Sequence, residues 1–374
     1  MRYSRNTIPV TYVRGGTSRA IIFRRDDLPD DETLWTPLFQ MAIGSPDPDG
    51  NQLDGLGGGI TSLSKVAVVS PSSRADVDVD YIFFQIDPVT GDILTDANCG
   101  NISSSIGPYA SEQGWTNTSD GVQTVKIYNV NTDKIIISEF NRNAKEHELV
   151  AISGVPGKHF PVRLSFLKPA GSVSGGLFPT GNKSEVIKLA DGTSMQATML
   201  DVTVPCVIIR AEDAGIKGDE DYHTLLANKA YTDRMVELRI KASLMMQFCQ
   251  NEHEARFVKT NLPDVIVVAP PQCGLTGITA RYLSCDRPHR TAPVTASMAL
   301  AAAACIKGTV AADLCAFEKK GVTSIHHPLG TINVYAEISP NEEVLHTSVI
   351  RTMRTIMRGE LIVSRPPEHN RAAE

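Results

Sequence analysis

Cys99 stands directly before Gly100-Asn101, at the head of a run of small residues through Ala110 whose composition suits a helix packed inside other structure. At a helix start the free backbone N–H groups and the positive end of the dipole favour a thiolate, and such a sulfur exchanges protons readily. Gly100 permits a carboxylate to approach the backbone donors, and Asn101 adds an amide. The same cysteine can also be read as a small buried residue. Lys65 closes Thr61-Ser62-Leu63-Ser64-Lys65, just ahead of the apolar Val66-Ala67-Val68-Val69. A lysine there is either a solvated guard at a strand edge or a group packed between a glycine loop and a helix N-terminus. In the second case it loses solvation and can act as a general base, or stay protonated and stabilise a dienolate. Later in the chain Arg281, His289 and Arg290 precede a helix beginning at Thr295. Cations beside a helix N-terminus form an anion pocket suited to a polycarboxylate, although arginines in loops are also ordinary surface residues.

Other chemistries lack their residues. The loop Gly55-Leu56-Gly57-Gly58-Gly59 has neither a Walker spacing nor a dinucleotide fingerprint, and ligand-free turn glycines remain its other reading. No G-x-S-x-G elbow is present. The adjacent His326-His327 would point to opposite faces of a strand, and the seven cysteines have no metal-ligand spacing. Thirty-six basic against forty-two acidic residues, a net charge of -6, present no basic stripe for nucleic acid. No apolar run is long enough to cross a bilayer, and no signal-peptide pattern follows the first residues. An odd cysteine count without C-x-x-C pairs fits a reducing, cytoplasmic compartment.

The elements that must position these residues follow from pattern. Val10-Thr11-Tyr12-Val13 and Ala20-Ile21-Ile22-Phe23 flank the turn Gly15-Gly16-Thr17-Ser18, and Asp30 or Asp31 caps a short helix ending at Ile43. Residues 76–86 and 123–140 read as further strands, mostly antiparallel, with the Cys99 helix between them and Pro108 kinking it. A Gly-, Pro- and Ser-rich stretch from Phe160 to Lys183 marks a domain boundary near residue 180. Beyond it come strand, turn and strand over 199–210, an amphipathic helix near 224–247, a strand at 265–269 and an almost wholly apolar helix over 295–306 stopped by Gly308. A helix apolar on every face must be surrounded by protein. Each half therefore reads as a sheet around one central helix, and the second half faintly echoes the first.

Arg14-Gly15-Gly16-Thr17-Ser18-Arg19, Asp54 to Gly59 with Thr61 to Lys65, Asn98-Cys99-Gly100-Asn101 with Gly107-Pro108, Pro288 to Thr291 with Val294-Thr295, and the closing Arg351-Thr352-Met353-Arg354 together resemble the PrpF family of methylaconitate isomerases, over nearly the whole chain. The resemblance implies an α/β (α+β) diaminopimelate-epimerase-like fold of two pseudosymmetric domains, each with a β-barrel-like sheet around a central helix and with the active site between them. It places the first domain at 1–183, the second at 184–348, and returns 349–374 to the first. It implies a proton-transferring isomerase that needs neither a metal nor an organic cofactor. The family's acid/base pair maps onto Lys65 and Cys99. Thr295 occupies the place of the second thiol used by two-cysteine epimerases, so amino-acid racemisation lacks a residue. Thr17, Ser18, Arg19, Gly58, Ser62, Ser64, Gly100, Asn101, Arg281, His289, Arg290 and Thr295 are the expected substrate-binding residues. The implied substrate is a small unsaturated tricarboxylate, first of all aconitate, by cis/trans exchange or a double-bond shift. 2-Methylaconitate and 4-oxalomesaconate are the alternatives, and a non-catalytic accessory to an aconitase-like enzyme is the alternative of another class. No nucleic-acid or membrane partner is expected, and exposed strand edges make a homodimer possible.

Overall fold

The computed structural model describes residues 7–95, 98–116, 121–284 and 286–363; the expectations for Cys285, Asp96-Ala97 and 364–374 lie outside them. Alternating and continuous apolar stretches form fourteen main strands that make two rings. The first ring takes β1 (Thr7–Gly15), β2 (Ser18–Arg24), β3 (Lys65–Pro71), β4 (Val79–Ile86), β5 (Gln123–Asn129), β6 (Lys134–Phe140) and β7 (Pro161–Leu167). The second takes β8 (Ser194–Val202), β9 (Val204–Arg210), β10 (Asp264–Ala269), β11 (Ile278–Ser284), β12 (Val322–His327), β13 (Gly330–Ile338) and the long β14 (Val344–Ile362).

The pairing follows one rule twice. In the first ring β1–β2 is antiparallel, β2–β3 parallel, β3–β4 antiparallel, β4–β5 parallel, and β5–β6 and β6–β7 antiparallel. In the second, β8–β9, β9–β10, β10–β11, β11–β12, β12–β13 and β13–β14 repeat that order. The shared strand β14 pairs with β13 through its first residues, with β7 over His346–Thr352, and with β1 over Met353–Ile362, which closes the first ring at eight strands. Closure removes the free edges of that sheet. The chain after β7 lies along β8 through the bridge Ala170↔Val202 and through the short segment Glu185–Lys188, which pairs antiparallel with Ser194–Ala197.

A helix fills each ring. α2 (Gly100–Glu112) presents Ile102 and Ile106 to the first ring and buries Ser103, Ser104 and Ser105 completely, with Pro108 lying inside the helix without ending it. Small side chains let the surrounding strands approach closely, and Ser103 and Ser104 satisfy their hydroxyls on the Cys99 and Asn101 carbonyls at 3.0 and 2.6 Å. In the second ring, α4 (Val294–Cys305) is apolar on all sides and buried from Ala296 to Ala303. Outside the rings, α1 (Trp35–Ile43) seats Trp35, Leu38 and Phe39 on one face of the first sheet, after a short turn capped by Asp31. The helical stretch expected near 224–247 is two helices: Asn228 interrupts it and caps α3 (Lys229–Met245) by accepting from the Tyr231 N–H. Asn is favoured at a cap because its side-chain oxygen takes up one orphan N–H.

Candidate active site

The two inner helices meet head to head. Gly100 packs on Val294 so closely that a Cβ added at Gly100 would lie 2.6 Å from Val294 Cγ1. Neither helix carries a side-chain cap; Cys99 holds the N-cap place of α2 in extended conformation, and Pro293 that of α4. The leading N–H groups of both helices therefore remain for a ligand. They open on a cleft of about 210 Å³, lined on the first-ring side by Thr17, Ser18, Ser62, Lys65, Cys99 and Asn101, and on the second-ring side by Asp264, Ser284, His289 and Thr295. That volume is below the ~300–1,000 Å³ of drug-sized sites and suits a small acid. A wider hollow of about 310 Å³ lies on the outside of α3 among ion-pairing side chains such as Asp233 and Glu237, remote from either inner helix; the smaller cleft is the one where unsatisfied donors converge.

Lys65 begins β3 and is 7% exposed. Register places it opposite Gln85, whose amide oxygen accepts from Nζ. Gln85 Nε2 in turn donates to the Thr61 and Ser64 carbonyls at 2.9 and 3.1 Å, which fixes the amide with its oxygen towards the lysine. The ammonium also lies 5.1 Å from the Phe83 ring centre. No carboxylate among the described residues forms an ion pair with it, so its charge is available to an anionic ligand. Behind Cys99, burial and then the sulfur itself push the Tyr81 phenol well above its ordinary value, so the phenol stays protonated. Asn98 Oδ1 lies 3.2 Å from the Ser103 hydroxyl, which is closer to the Cys99 carbonyl at 3.0 Å, while the Asn98 Nδ2 is buried with no partner among the described residues. An unpaired buried donor costs about 1–3 kcal/mol, which a bound acceptor recovers.

Of the residues expected to bind substrate, Thr17, Ser18, Ser62, Gly100, Asn101, His289 and Thr295 line the cleft with the Lys65/Cys99 pair. Asn101 also ties the β1–β2 turn, giving its Nδ2 hydrogens to Thr17 Oγ1 at 3.1 Å. Five others do not line it. Arg19 stacks over Tyr12, 5.5 Å from the ring centre, and Gly58 packs beneath that guanidinium. Ser64 spends its hydroxyl on Gln52 Oε1 at 2.8 Å, inside the glycine loop that Gln52 organises. Arg281 is buried and donates to the backbone carbonyls of Glu220 and Ala280 at 2.7 and 2.8 Å. Arg290 is exposed and lies over Tyr222. His289, expected as a cation, has its imidazole pulled below the ordinary value by burial, opposed by the Thr291 carbonyl and assisted by Lys65. With Nδ1 paired to Thr291 O at 2.7 Å, the ring is neutral at pH 7 and offers Nε2.

The strand that begins with Asp264 also supplies the residue that sequence reasoning passed over. Asp264 is 7% exposed and lines the cleft, and burial pushes its carboxyl up to about 7 against the opposing Ser284 hydroxyl. Its signal was present: Lys65-Val66-Ala67-Val68-Val69 and Asp264-Val265-Ile266-Val267-Val268 are the same pattern with the leading charge inverted. The caps correct a second correspondence. Ser103 N–H and hydroxyl return to the Cys99 carbonyl as Ser297 N–H and hydroxyl return to that of Pro293, so Pro293 matches Cys99 and Thr295 matches Asn101. The second ring has no thiol at either place.

The family model described as PrpF protein matches residues 5–364. The (4E)-oxalomesaconate Delta-isomerase of Novosphingobium sp. (strain KA1) is 34% identical over 364 residues, 96% of this chain and 98% of that protein. The 2-methyl-aconitate isomerase of Shewanella oneidensis is 30% identical over 387 residues, 96% and 97% of the two. A solved methylitaconate-delta-isomerase superposes with a TM-score of 0.81 at 28% identity, covering 97% of this chain and 99% of that one. The chain belongs to the PrpF family. It is an isomerase, and its fold is the diaminopimelate-epimerase-like one, shared with a hydroxyproline epimerase at a TM-score of 0.58 and 11% identity. In this PrpF protein, no helix among the described residues is long and apolar enough to cross a membrane, and no group of three His, Cys, Asp or Glu residues is disposed to hold a metal ion.

Proposed function

We propose that this PrpF protein moves a proton within a small unsaturated tricarboxylate, aconitate first, with Lys65 and Cys99 as the acid/base pair. The observation that carries the reading is the placement of both residues on one cleft between uncapped helix starts, with a lysine that has no anionic partner. Substrate carboxylates dock on the N–H groups of Gly100-Asn101 and of Thr295, with Thr17, Ser18, Ser62 and Asn98 Nδ2 as further donors. One member of the pair takes a proton from the allylic carbon beside a carboxylate. The negative charge is shared with that carboxylate and, through the double bond, with the far carbon, and is held by the helix donors and the remaining positive charge. The other member protonates the far end of the delocalised anion, so one C–H bond breaks, one forms, and the double bond shifts or returns after rotation. No electrons leave the substrate, and no oxidant or reductant is consumed.

The 2-methyl-aconitate and oxalomesaconate isomerases among the relatives act on acids of this class, which supports the class and leaves three candidate substrates. Incubation with aconitate, 2-methylaconitate and oxalomesaconate in D2O, followed by NMR, tests the proposal: the true substrate acquires deuterium at an allylic carbon as its isomer appears. If none of the three exchanges, the proposed chemistry is rejected.

A further inference from the structure

Asp264 is an acid facing a cleft built to collect acids. It opens β10 as Lys65 opens β3, each preceding four apolar residues on the strand that pairs in parallel with the second strand of its ring. The two rings thus present one cation and one carboxyl to the same space. The groups around Asp264 do not balance its charge. Cys206, its partner on β9, and Tyr282 on β11 are both pushed up by burial, with Asp264 itself contributing, so both are neutral. Ser284 on β11 supplies a hydroxyl. Asp201 on β8 faces Cys206 with its carboxylate already engaged by Ser172, Val173 and Ser174. Neutral His289 lines the same side of the cleft, and across it stand Cys99 and Lys65, the latter held by Gln85. An ionised Asp264 would repel any carboxylate bound in so small a space, whereas its protonated form gives that carboxylate a short, charge-assisted hydrogen bond.

We propose that Asp264 is a substrate-binding residue held as the neutral acid in the complex, donating its proton in a hydrogen bond to a carboxylate of the bound polycarboxylate. The proposal rests on the polycarboxylate reading above and makes the protein a selective binder of its ligand plus one proton. Only the protonated fraction of Asp264 is competent, and with ionisation near pH 7 that fraction falls about 30-fold between pH 6.0 and pH 8.5.

Tricarballylate, a saturated tricarboxylate with no double bond to move, is the probe, titrated calorimetrically in buffers of different ionisation heat. The wild-type protein is expected to take up close to one proton per ligand at pH 8.5 and to lose affinity about 30-fold from pH 6.0. Asp264→Asn keeps a donor but cannot ionise; it should bind without that uptake, with a flat pH dependence, and at least about tenfold tighter than wild type at pH 8.5. Binding without proton uptake in the wild type, or an unchanged pH slope in Asp264→Asn, overturns the role of Asp264 while leaving isomerisation untouched. The wild-type measurement stands even if the variant folds poorly. Failure of the wild type to bind tricarballylate and to isomerise any tricarboxylate overturns both readings together.

Discussion

The two rings carry different polar residues on one framework. Strand order, pairing sense, inner helix and serine-to-cap hydrogen bonds recur, yet the first ring brings Lys65 and Cys99 to the cleft where the second brings Asp264 and Pro293. A duplicated scaffold with two thiols could work on both faces of a carbon. This one has the proposed proton-transfer pair on a single side, and the other side brings helix donors and an acid to the cleft. On the proposed mechanism, the difference separates chemistry from anchoring within a nearly symmetric shell.

The largest test of that division is at the first-ring pair. Cys99→Ala and Lys65→Ala should each lower kcat by about a hundred- to ten-thousand-fold with the thermal melt retained, while Thr295→Ala raises KM and keeps most of kcat. Equal kcat losses at Cys99 and Thr295 would erase the asymmetry. Next in size is a stability effect at Asp264. Its folded pKa of about 7 lies above the usual carboxylate value, so the stability it contributes is fully present below about pH 4 and is lost as the pH rises through 7. Denaturant melts of Asp264→Asn against wild type should therefore diverge from near equality at about pH 4 to an advantage of about 4 kcal/mol at pH 8; a constant gap would show that the carboxyl is not destabilised by burial. At the seam between the rings, Gly100→Ala must push the helix starts apart, costing about 1–3 kcal/mol in urea unfolding, because a Cβ meets Val294. Arg290→Ala marks the lower end: an exposed side chain over Tyr222 should change stability by less than about 0.5 kcal/mol and leave KM as it was.

How much of the site could be read in advance depended on the kind of residue. Cys99 and Gly100-Asn101 were legible because their surroundings are local: a helix start is written in consecutive residues. Lys65 was legible for the same reason, through the apolar strand after it. Arg281 and Arg290 were misplaced because a cation near a helix in sequence need not point at its N-terminus; Arg281 instead crosses to the Glu220 carbonyl, 61 residues away. Gln85 carried no local mark, and its hold on Lys65 exists only through the β3–β4 register. Asp264 did carry one, in the repeat of the Lys65 strand, but a charge of opposite sign hides such an echo.

By itself the sequence determined the two buried helices, since Ala- and Ser-rich segments without a polar face have no stable place except inside protein, and it determined which residues head them. Tertiary structure decided what those heads face. Bringing Gly100 against Val294 joins residues nearly two hundred positions apart, and only that contact turns two separate sets of unpaired N–H groups, one lysine and one buried acid into a single cleft. Side-chain direction there follows from strand register and ring closure, which long-range pairing sets and local composition does not.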